Sequence, residues 1–288
     1  MKGISGSMGS ILKRVNWNVT MFLMLVHALA LGGLYFFSWE GFALFCLLST
    51  VSGLGVTVGY HRYFTHGGFH TWKPIRWLLA IAGMFSGEGS AIFWVAFHRK
   101  HHQCSDKEGD PHSPTRDGFL WAHMLWLMAW WPPESLNALF RRYAKDLVQD
   151  RFLLFLHKKY PLWHAGFLVL LVVSGYIYGG WWYAASFAAY GFFARMAFVL
   201  HATWCVNSLS HMYGYKNYDA GDDSRNNWLV ALLSYGEGWH NNHHAHPTLA
   251  VHGHRWWEVD PSYWVIRAMQ ALGLAWDVKG QIPSDSLR

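Results

Sequence analysis

Four stretches of this sequence run for twenty or more residues without an Asp, Glu, Lys or Arg side chain. They cover residues 15–39, 41–61, 161–194 and 196–215. A helix that crosses a hydrocarbon layer about 30 Å thick needs roughly 20 predominantly apolar residues. The stretches therefore predict membrane-spanning helices. The composition agrees, because 14% of the residues are charged against roughly 25% in an average soluble domain.

Two local features set the limits of these helices. Glu40 separates the first two stretches, and the Gly179-Gly180 pair interrupts the third. We expect an all-α integral membrane protein of one domain, 1–288, with four transmembrane helices in two hairpins under a cytoplasmic helical cap. The expected helices lie near residues 17–37, 42–60, 162–178 and 182–205, and the expected cap comprises residues 61–160 and 206–288.

The basic residues predict the orientation of the chain. Three Lys or Arg residues precede residue 15, 13 lie between residues 62 and 160, and six follow residue 206, whereas neither expected hairpin tip carries one. Cytoplasmic loops are enriched in Lys and Arg. Both termini and the long middle segment are therefore expected on the cytoplasmic side of the membrane. No small-residue cleavage site follows the first stretch, so no cleavable signal peptide is expected.

Two further features concern the boundary between membrane and cap. Residues 71–87 combine basic and aromatic residues with an apolar stretch too short to span a membrane. This pattern fits a helix in the membrane interface and equally a packed helix of the cap. Arg195 falls inside the fourth expected helix, where a charge is costly unless it faces protein or water, and we expect it to contact the cap.

Histidine is unusually frequent, with 19 residues. Eight of them fall in three short clusters, here called boxes, and a ninth, His211, follows Asn207 by four residues. Two boxes have the spacing H-x-x-H-H, which places three imidazoles on one face of an α-helix. They are His98, His101 and His102, and His240, His243 and His244. His61 and His66 are five residues apart, about 140° around an ideal α-helix, so this box is expected at a helix end. Asn207 and His211 share the i, i+4 spacing near the end of the fourth helix.

The number of histidines predicts the kind of metal site. Neutral imidazole binds iron, zinc, copper and nickel, and nine ligands are too many for one ion. Two ions with four or five histidines each would use the whole set, and a dinuclear centre suits oxygen chemistry. The ferritin-like di-iron proteins have two Glu-x-x-His motifs, whereas this chain has one, Glu237 to His240. The lone histidines at 27, 70, 123, 157 and 164 are interpreted as packed or surface residues.

The three boxes, with the elements NSLSH at 207–211 and EGWHNNHH at 237–244, resemble those of the membrane-bound fatty acid desaturases. The resemblance is to the acyl-CoA type related to stearoyl-CoA desaturase and covers about residues 41–246. It implies two iron ions (Fe2+/Fe3+), O2 as co-substrate, and insertion of a cis double bond, Δ9, into a saturated acyl chain for unsaturated fatty acid biosynthesis.

The resemblance also implies roles for residues that match by position. Asn207 matches a residue that reaches one iron through water. Trp94, Thr203 and Trp204 match residues that shape the bend of the acyl tunnel, and the segment from Ser49 to Gly53 matches the part that closes it. The implied iron ligands and catalytic residues are His61, His66, His98, His101, His102, His211, His240, His243 and His244.

One departure concerns the substrate carrier. Ala96 and Phe97 stand where the animal enzymes have an Arg-Asp pair that contacts CoA. The pattern WVAFHRKHH…DPHSP looks more like bacterial and cyanobacterial relatives, some of which act on acyl-CoA and some on acyl groups esterified in lipid. This resemblance implies a bacterial inner membrane with the active site on its cytoplasmic side. From the sequence, acyl-CoA is favoured slightly over acyl-lipid.

Reduction of O2 to water takes four electrons, of which the substrate supplies two. The sequence shows no flavin or dinucleotide fingerprint and no fused haem domain. A separate donor, ferredoxin or a b-type cytochrome with its reductase, is therefore expected, together with membrane lipid and without nucleic acid. Two alternatives stay open: a His-rich hydroxylase or ketolase, and a non-catalytic membrane carrier of metal or haem.

Overall fold

The computed structural model describes residues 15–282 of the chain. Within them, four helical stretches are long and apolar enough to cross a membrane: span 1 (Trp17–Phe36), span 2 (Trp39–Thr65), span 3 (Tyr160–Gly179) and span 4 (Trp181–His211). The prediction of a helical membrane protein with four such helices is confirmed. The basic residues counted before residue 15, and residues 283–288 of the expected cap, lie outside the described residues.

The spans form two hairpins with very short tips. Between spans 1 and 2, the Ser38 side chain accepts a hydrogen bond from the Gly41 N–H at 3.0 Å and so caps the second helix. Between spans 3 and 4, Gly180 has φ +81°, a left-handed conformation that favours glycine. Residues Leu23 and Val26 of span 1 pack with Leu200 of span 4 in one buried cluster.

Of the described spans, only span 3 is one continuous α-helix, and the other three combine different helix types. Together the spans consist of the α-helices Trp17–Gly32, Trp39–Leu54, Tyr160–Gly179, Trp181–Ala188 and Arg195–Ser208, the 3-10 segments Gly33–Phe36 and Leu209–His211, and the π-helical segments Gly55–Thr65 and Ala189–Ala194. Span 2 extends beyond the expected end near residue 60, because the charged Arg62 is fully buried and paired within the protein rather than exposed to lipid.

The described cap is made of short helices and one small sheet. Its α-helices are Lys73–Met84, Ala91–Cys104, Pro114–Asp117, Trp126–Met128, Pro133–Tyr143, Lys145–Val148, Arg151–Lys158, Trp228–Leu233, His240–Ala245 and Pro261–Ala271, with a π-helical segment at Trp121–Leu125. The strands His70–Thr71 and Ala275–Trp276 pair antiparallel. The two parts of the cap, before span 3 and after span 4, are therefore joined by this sheet.

The helix Lys73–Met84 occupies the segment for which two alternatives were open. It buries Ala80, Gly83 and Met84 and packs on the π-helical part of span 2. Leu78 on its outer face is 59% exposed. The helix therefore packs on the protein through one face and presents an apolar residue outward through the other.

Arg195 is almost fully buried at the start of the last α-helix of span 4. Its Nε donates to the Gly191 carbonyl at 2.9 Å, and its Nη1 donates to the Ser52 hydroxyl at 3.3 Å and to the Phe85 carbonyl. Phe85 directly follows the cap helix Lys73–Met84. Arg195 thus connects span 4 to span 2 and to the cap.

Three histidines outside the boxes link the same parts of the protein. His27 Nε2 lies 3.0 Å from His201 Nε2, and His201 Nδ1 lies 3.0 Å from His123 Nε2. His123 Nδ1 is also 3.0 Å from the Ser208 hydroxyl. A chain of polar contacts therefore connects span 1, span 4 and the cap.

Candidate metal centre

The second box lies on the helix Ala91–Cys104, whose first turn is capped by the Ser90 hydroxyl. His98 and His102 are one turn apart on this helix, and their Nε2 atoms are 3.0 Å apart. His101, on the same helix, contacts a different set of histidines, including His211 and His244. One helix therefore supplies ligand atoms to two neighbouring groups.

The first box depends on the π-helical winding of Gly55–Thr65. The His66 N–H donates to the His61 carbonyl at 3.2 Å, which is the i→i+5 pattern of a π-helix. On an α-helix the two imidazoles would point about 140° apart, whereas here their ring centroids are 4.9 Å apart. The extra residue per turn brings both side chains to one site.

The third box lies on a helix of six residues, His240–Ala245, which is too short to be stable alone. Asn241 Oδ1 accepts from the backbone N–H groups of Asn217 and Tyr218, each at 2.8 Å. Asn242 Nδ2 donates to the His252 carbonyl at 2.8 Å. The two asparagines between the histidines thus anchor the helix, a role that spacing alone did not reveal.

The structure sorts the nine histidines of the pattern into two adjoining groups. Within each group the ligand nitrogens lie within 4.8 Å of one another. The first group is His61, His66, His98, His102 and His243. The second group is His101, His211, His240 and His244. The groups touch, since the rings of His102 and His244 are 4.5 Å apart between centroids.

The nitrogen atoms of both groups fit bound cations. In the described part of the chain, the buried Nε2 atoms of His66, His101 and His244 have no hydrogen-bond partner. Other Nε2 atoms face each other: His61 and His243 at 3.0 Å, and His211 and His240 at 3.1 Å. Two Nε2 lone pairs that point at each other do not attract each other. The same arrangement suits a metal ion that binds nitrogen ligands.

Four carboxylates orient the imidazoles. Glu237 Oε2 lies 2.5 Å from His61 Nδ1, and the corresponding oxygen–Nδ1 distances are 3.0 Å for Asp110 and His101, 2.8 Å for Asp106 and His211, and 2.5 Å for Asp222 and His244. A carboxylate that accepts the Nδ1–H leaves Nε2 as the ligand atom and makes it more basic. Sequence reasoning noted only Glu237 and did not assign it this role.

The electrostatics favour neutral ligands. Burial, reinforced by the neighbouring imidazoles, lowers the pKa of six of the histidines well below its ordinary value. They are His66, His98, His102, His240, His243 and His244. Burial also acts to lower the pKa of His101, but the Asp110 carboxylate outweighs it and raises that pKa.

Glu237 remains a carboxylate although it is buried. Burial alone would raise its pKa, but the Arg62 guanidinium, at 3.0 Å, and the adjacent histidines hold the pKa well below its usual range. Arg62 also pairs with Asp260 at 2.9 Å. This network fixes the carboxylate that orients His61.

Two further histidines were missed by sequence reasoning because they lie outside the boxes. The His252 ring is 4.4 Å from the His243 ring, and its Nδ1 is 3.2 Å from a Glu237 oxygen. His112 stacks on His101 at 4.5 Å. The DPH motif at 110–112, close behind the second box, could have drawn attention to His112. No comparable motif marks His252.

A cavity lies between spans 2 and 4 and reaches His61 and His98. Asn207, Trp94, Thr203 and Gly53 line it, as does a set of apolar residues: Val56, Phe198, Val199, Ala202, Val206 and Leu233. The arrangement brings an apolar space directly to the first histidine group.

Trp204 and Ser49, which were expected at the acyl tunnel, do not line this cavity. Trp204 is fully buried and lines a second cavity, of about 380 Å³, together with Trp94 and Asn207. Ser49 is buried one turn before Gly53 and does not line either cavity among the described residues.

Glu88 is a further residue at this site that the sequence did not single out. It is 6% exposed, and its Oε2 accepts a hydrogen bond from Trp94 Nε1 at 2.7 Å. Burial raises the pKa of Glu88 to about 7. The Trp94 indole, which stacks on His98 at 4.6 Å between ring centroids, is thereby held from both sides.

The fold and this site define a helical membrane protein with a histidine-rich centre suited to two metal ions. The family model for fatty acid desaturases matches residues 37–278. The chain belongs to the fatty acid desaturase family, whose members are oxidoreductases that introduce double bonds into fatty acids.

Similar proteins include cyanobacterial and plant enzymes. The chain is 39% identical over 272 residues to the sn-2 palmitoyl-lipid 9-desaturase of Nostoc sp. (strain 36), with 94% of this chain and 92% of the relative covered. It is 41% identical to the sn-1 stearoyl-lipid 9-desaturase of Anabaena variabilis, covering 92% and 94%. It is also 40% identical to the icosanoyl-CoA 5-desaturase of Limnanthes douglasii, covering 89% and 70%.

Proposed function

We propose that this chain is an oxygen-dependent Δ9 desaturase that inserts a cis double bond into a saturated fatty acyl chain. The observation that carries the proposal is the division of nine buried or half-buried histidines into groups of five and four beside an apolar cavity. The position of the bond is supported by the names of the cyanobacterial relatives, which are 9-desaturases.

The two histidine groups would each hold one iron ion. His61, His66, His98, His102 and His243 would hold one, and His101, His211, His240 and His244 the other, with Asn207 close by. Bound iron supplies the oxidising power, drawn from O2, that removal of hydrogen from an unactivated methylene requires. The polypeptide would contribute the positioning of the acyl chain, the exclusion of water and the orientation of the imidazoles.

The residues around the cavity would position the acyl chain. Trp94, held by Glu88, and Thr203 form the wall next to His98. A wall of this kind fixes which two carbons lie beside the histidines, and small misplacements reduce rates strongly. The apolar lining excludes water, while the four carboxylates keep the Nδ1 protons of His61, His101, His211 and His244 in place.

The reaction must balance in electrons and protons. The substrate CH2–CH2 unit loses two hydrogens, and O2 becomes two molecules of water with two further electrons and two protons. An external donor, ferredoxin or a b-type cytochrome with its reductase, would supply the electrons. The excess of basic residues in the cap supports a cytoplasmic orientation of this site.

The proposal is tested by analysing the fatty acids of cells that express this chain. Total fatty acids are analysed by gas chromatography and mass spectrometry after derivatisation of the double bonds, beside a His244→Ala control. We expect monoenes with the bond at C9 in cells with the intact chain and none from the control. Hydroxy acids in place of monoenes would support the alternative His-rich hydroxylase, and a bond at another carbon would overturn the Δ9 assignment.

A further inference from the structure

The cavity beside the histidines reaches a residue on the outer surface of the protein. Leu233 lines the cavity and is 36% exposed. It is the last residue of the helix Trp228–Leu233, here called the gate helix. The same residue therefore borders both the apolar cavity and the surroundings of the protein.

The outer face of the gate helix carries only large apolar side chains. Trp228 is 65%, Leu229 47% and Leu232 69% exposed, whereas Val230 and Ala231 are buried. Exposed apolar patches of this kind mark contacts with another apolar phase. A face without polar side chains next to membrane spans is covered by lipid at lower free energy than by water.

The gate helix lies close to the end of span 4. Asn227, its N-cap, donates through Nδ2 to the Tyr213 carbonyl at 3.2 Å, two residues after span 4 ends at His211. Tyr213, two residues after span 4 ends, is 59% exposed, and the ring of Tyr215 is 5.6 Å from that of Trp257. Exposed Trp and Tyr at the ends of spans are typical of the membrane interface.

Neither the gate helix nor the described lining of the cavity carries a cation that could bind the phosphates of CoA. No Lys or Arg lies between Arg225 and Arg255 in the sequence. None of the described residues that line the cavity is Lys or Arg, and the buried Arg62 is paired with Glu237 and Asp260. The phosphates of CoA would need cations to replace their hydration, whereas a lipid headgroup at the interface stays hydrated.

From these observations we infer that the acyl chain enters the cavity from the bilayer, past the gate helix, and that the carrier is therefore a membrane glycerolipid. The inference rests on the proposed desaturase function and names its substrate carrier. Its entry point is the contact between Leu233 and the outer apolar face formed by Trp228, Leu229 and Leu232.

The test compares two carriers of the same acyl chain. Iron-loaded full-length protein in phospholipid vesicles is supplied with ferredoxin and its reductase, and either with a stearoyl-glycerolipid in the bilayer or with stearoyl-CoA in solution. We expect the lipid-linked chain to be desaturated about tenfold faster or more. The double substitution Leu229→Asp and Leu232→Asp should slow this reaction about tenfold or more, because charges are costly in lipid.

Leu272→Asp is the matched control, because Leu272 is 73% exposed but lies at the end of the last helix, away from the cavity lining. Iron content and the thermal unfolding midpoint show that each variant is folded. Faster desaturation of stearoyl-CoA, or an unchanged rate on the lipid in the double variant, would overturn the inference and leave the desaturase function intact. Desaturation of neither carrier would overturn both.

A second measurement keeps the inference testable if the double variant does not fold. A spin label at Leu232→Cys, in a chain whose three native cysteines are replaced by serine, is placed in the same vesicles. We expect relaxation by O2, which concentrates in lipid, to exceed relaxation by a water-soluble nickel complex. The exposed Asp219, labelled in the same way, should show the reverse. Equal behaviour at both positions would contradict lipid coverage of the gate helix.

Discussion

Four of the nine histidines in the two groups depend on a carboxylate that the sequence spacing does not reveal. His244 illustrates this, because its Nδ1 is 2.5 Å from Asp222, a residue 22 positions earlier in a loop. His61 likewise depends on Glu237, and His211 on Asp106. At the residue scale, the histidines supply the ligand atoms, and the acidic residues decide which nitrogen faces the site.

We expect His102→Ala and His244→Ala each to abolish desaturation while the fold is largely retained. Each removes one ligand nitrogen from a group of five or four without disturbing an ion pair of the spans. Fatty acid products and bound iron are measured for each variant. His70→Ala, at an exposed histidine outside both groups, is the control and should behave as the unmodified chain; normal desaturation by either ligand variant would contradict the assignment.

Asp222→Asn should weaken metal binding without removing a ligand. The amide cannot hold the Nδ1–H of His244 as a carboxylate does, and loss of such a partner typically costs about 10- to 100-fold in metal affinity. Competition with a chelator of known affinity measures the change. Asp219→Asn, at an exposed carboxylate three residues away, should leave the affinity unchanged, and equal affinities in both variants would rule out this role for Asp222.

At the scale of elements, the π-helical part of span 2 is the feature that most affects the site. It brings His61 and His66 together, and it packs against the cap helix Lys73–Met84 at a close approach of two glycines. A Cβ atom on Gly83 would lie 2.8 Å from the Gly55 carbonyl oxygen and 2.6 Å from the Tyr60 ring. Glycine is required here because the two backbones are too close for a side chain.

Gly83→Ala is therefore expected to destabilise the protein by about 1–3 kcal/mol, the usual effect of forcing extra volume into a packed interior. The thermal unfolding midpoint in detergent should fall accordingly. Gly166→Ala in span 3 is the matched control, because a Cβ there would meet nothing within 4 Å. A midpoint for Gly83→Ala as high as that of the control would show that the helices can separate without cost.

At the scale of the whole molecule, the cap and the spans form the site together. Span 2 contributes His61, span 4 contributes His211, and the remaining histidines of the two groups come from segments on both sides of span 3. Arg195 and the histidine chain from His27 to His123 connect the spans to the cap. The site therefore forms only when all these segments have assembled.

The metal-free protein should lose stability as the pH falls below about 6.5. The six histidines with lowered pKa values bind protons more readily in the unfolded chain, where the ordinary value is 6.5. The unfolded state thus binds more protons below that pH, so the free energy of unfolding decreases as the pH falls.

Thermal unfolding of chelator-treated protein from about pH 8 to about pH 5 measures this effect. We expect a constant midpoint at the upper end and a progressive fall below about pH 6.5. Added metal should raise the midpoint most at the upper end, because protons compete with metal for the same nitrogens. A midpoint independent of pH would show that the histidines are protonated to the same extent in both states.

The sequence alone determined the membrane class and the number of spans, because hydrocarbon tolerates only long apolar helices and these are visible as uninterrupted stretches. It also determined which residue type forms the site, since the i, i+3, i+4 spacing of the second and third boxes is a property of one helix. Both are local properties, set by residues close together in the chain.

Only the tertiary structure decided how the nine histidines divide into groups of five and four, and which acidic residues orient four of the imidazoles. It also decided that span 2 winds as a π-helix through His61, where an ideal helix would separate His61 from His66, and that Leu233 borders both the cavity and the outer surface. These features depend on contacts between residues up to 182 positions apart, such as His61 and His243. Such contacts are set by the packing of spans and cap, which leaves no local periodicity in the sequence.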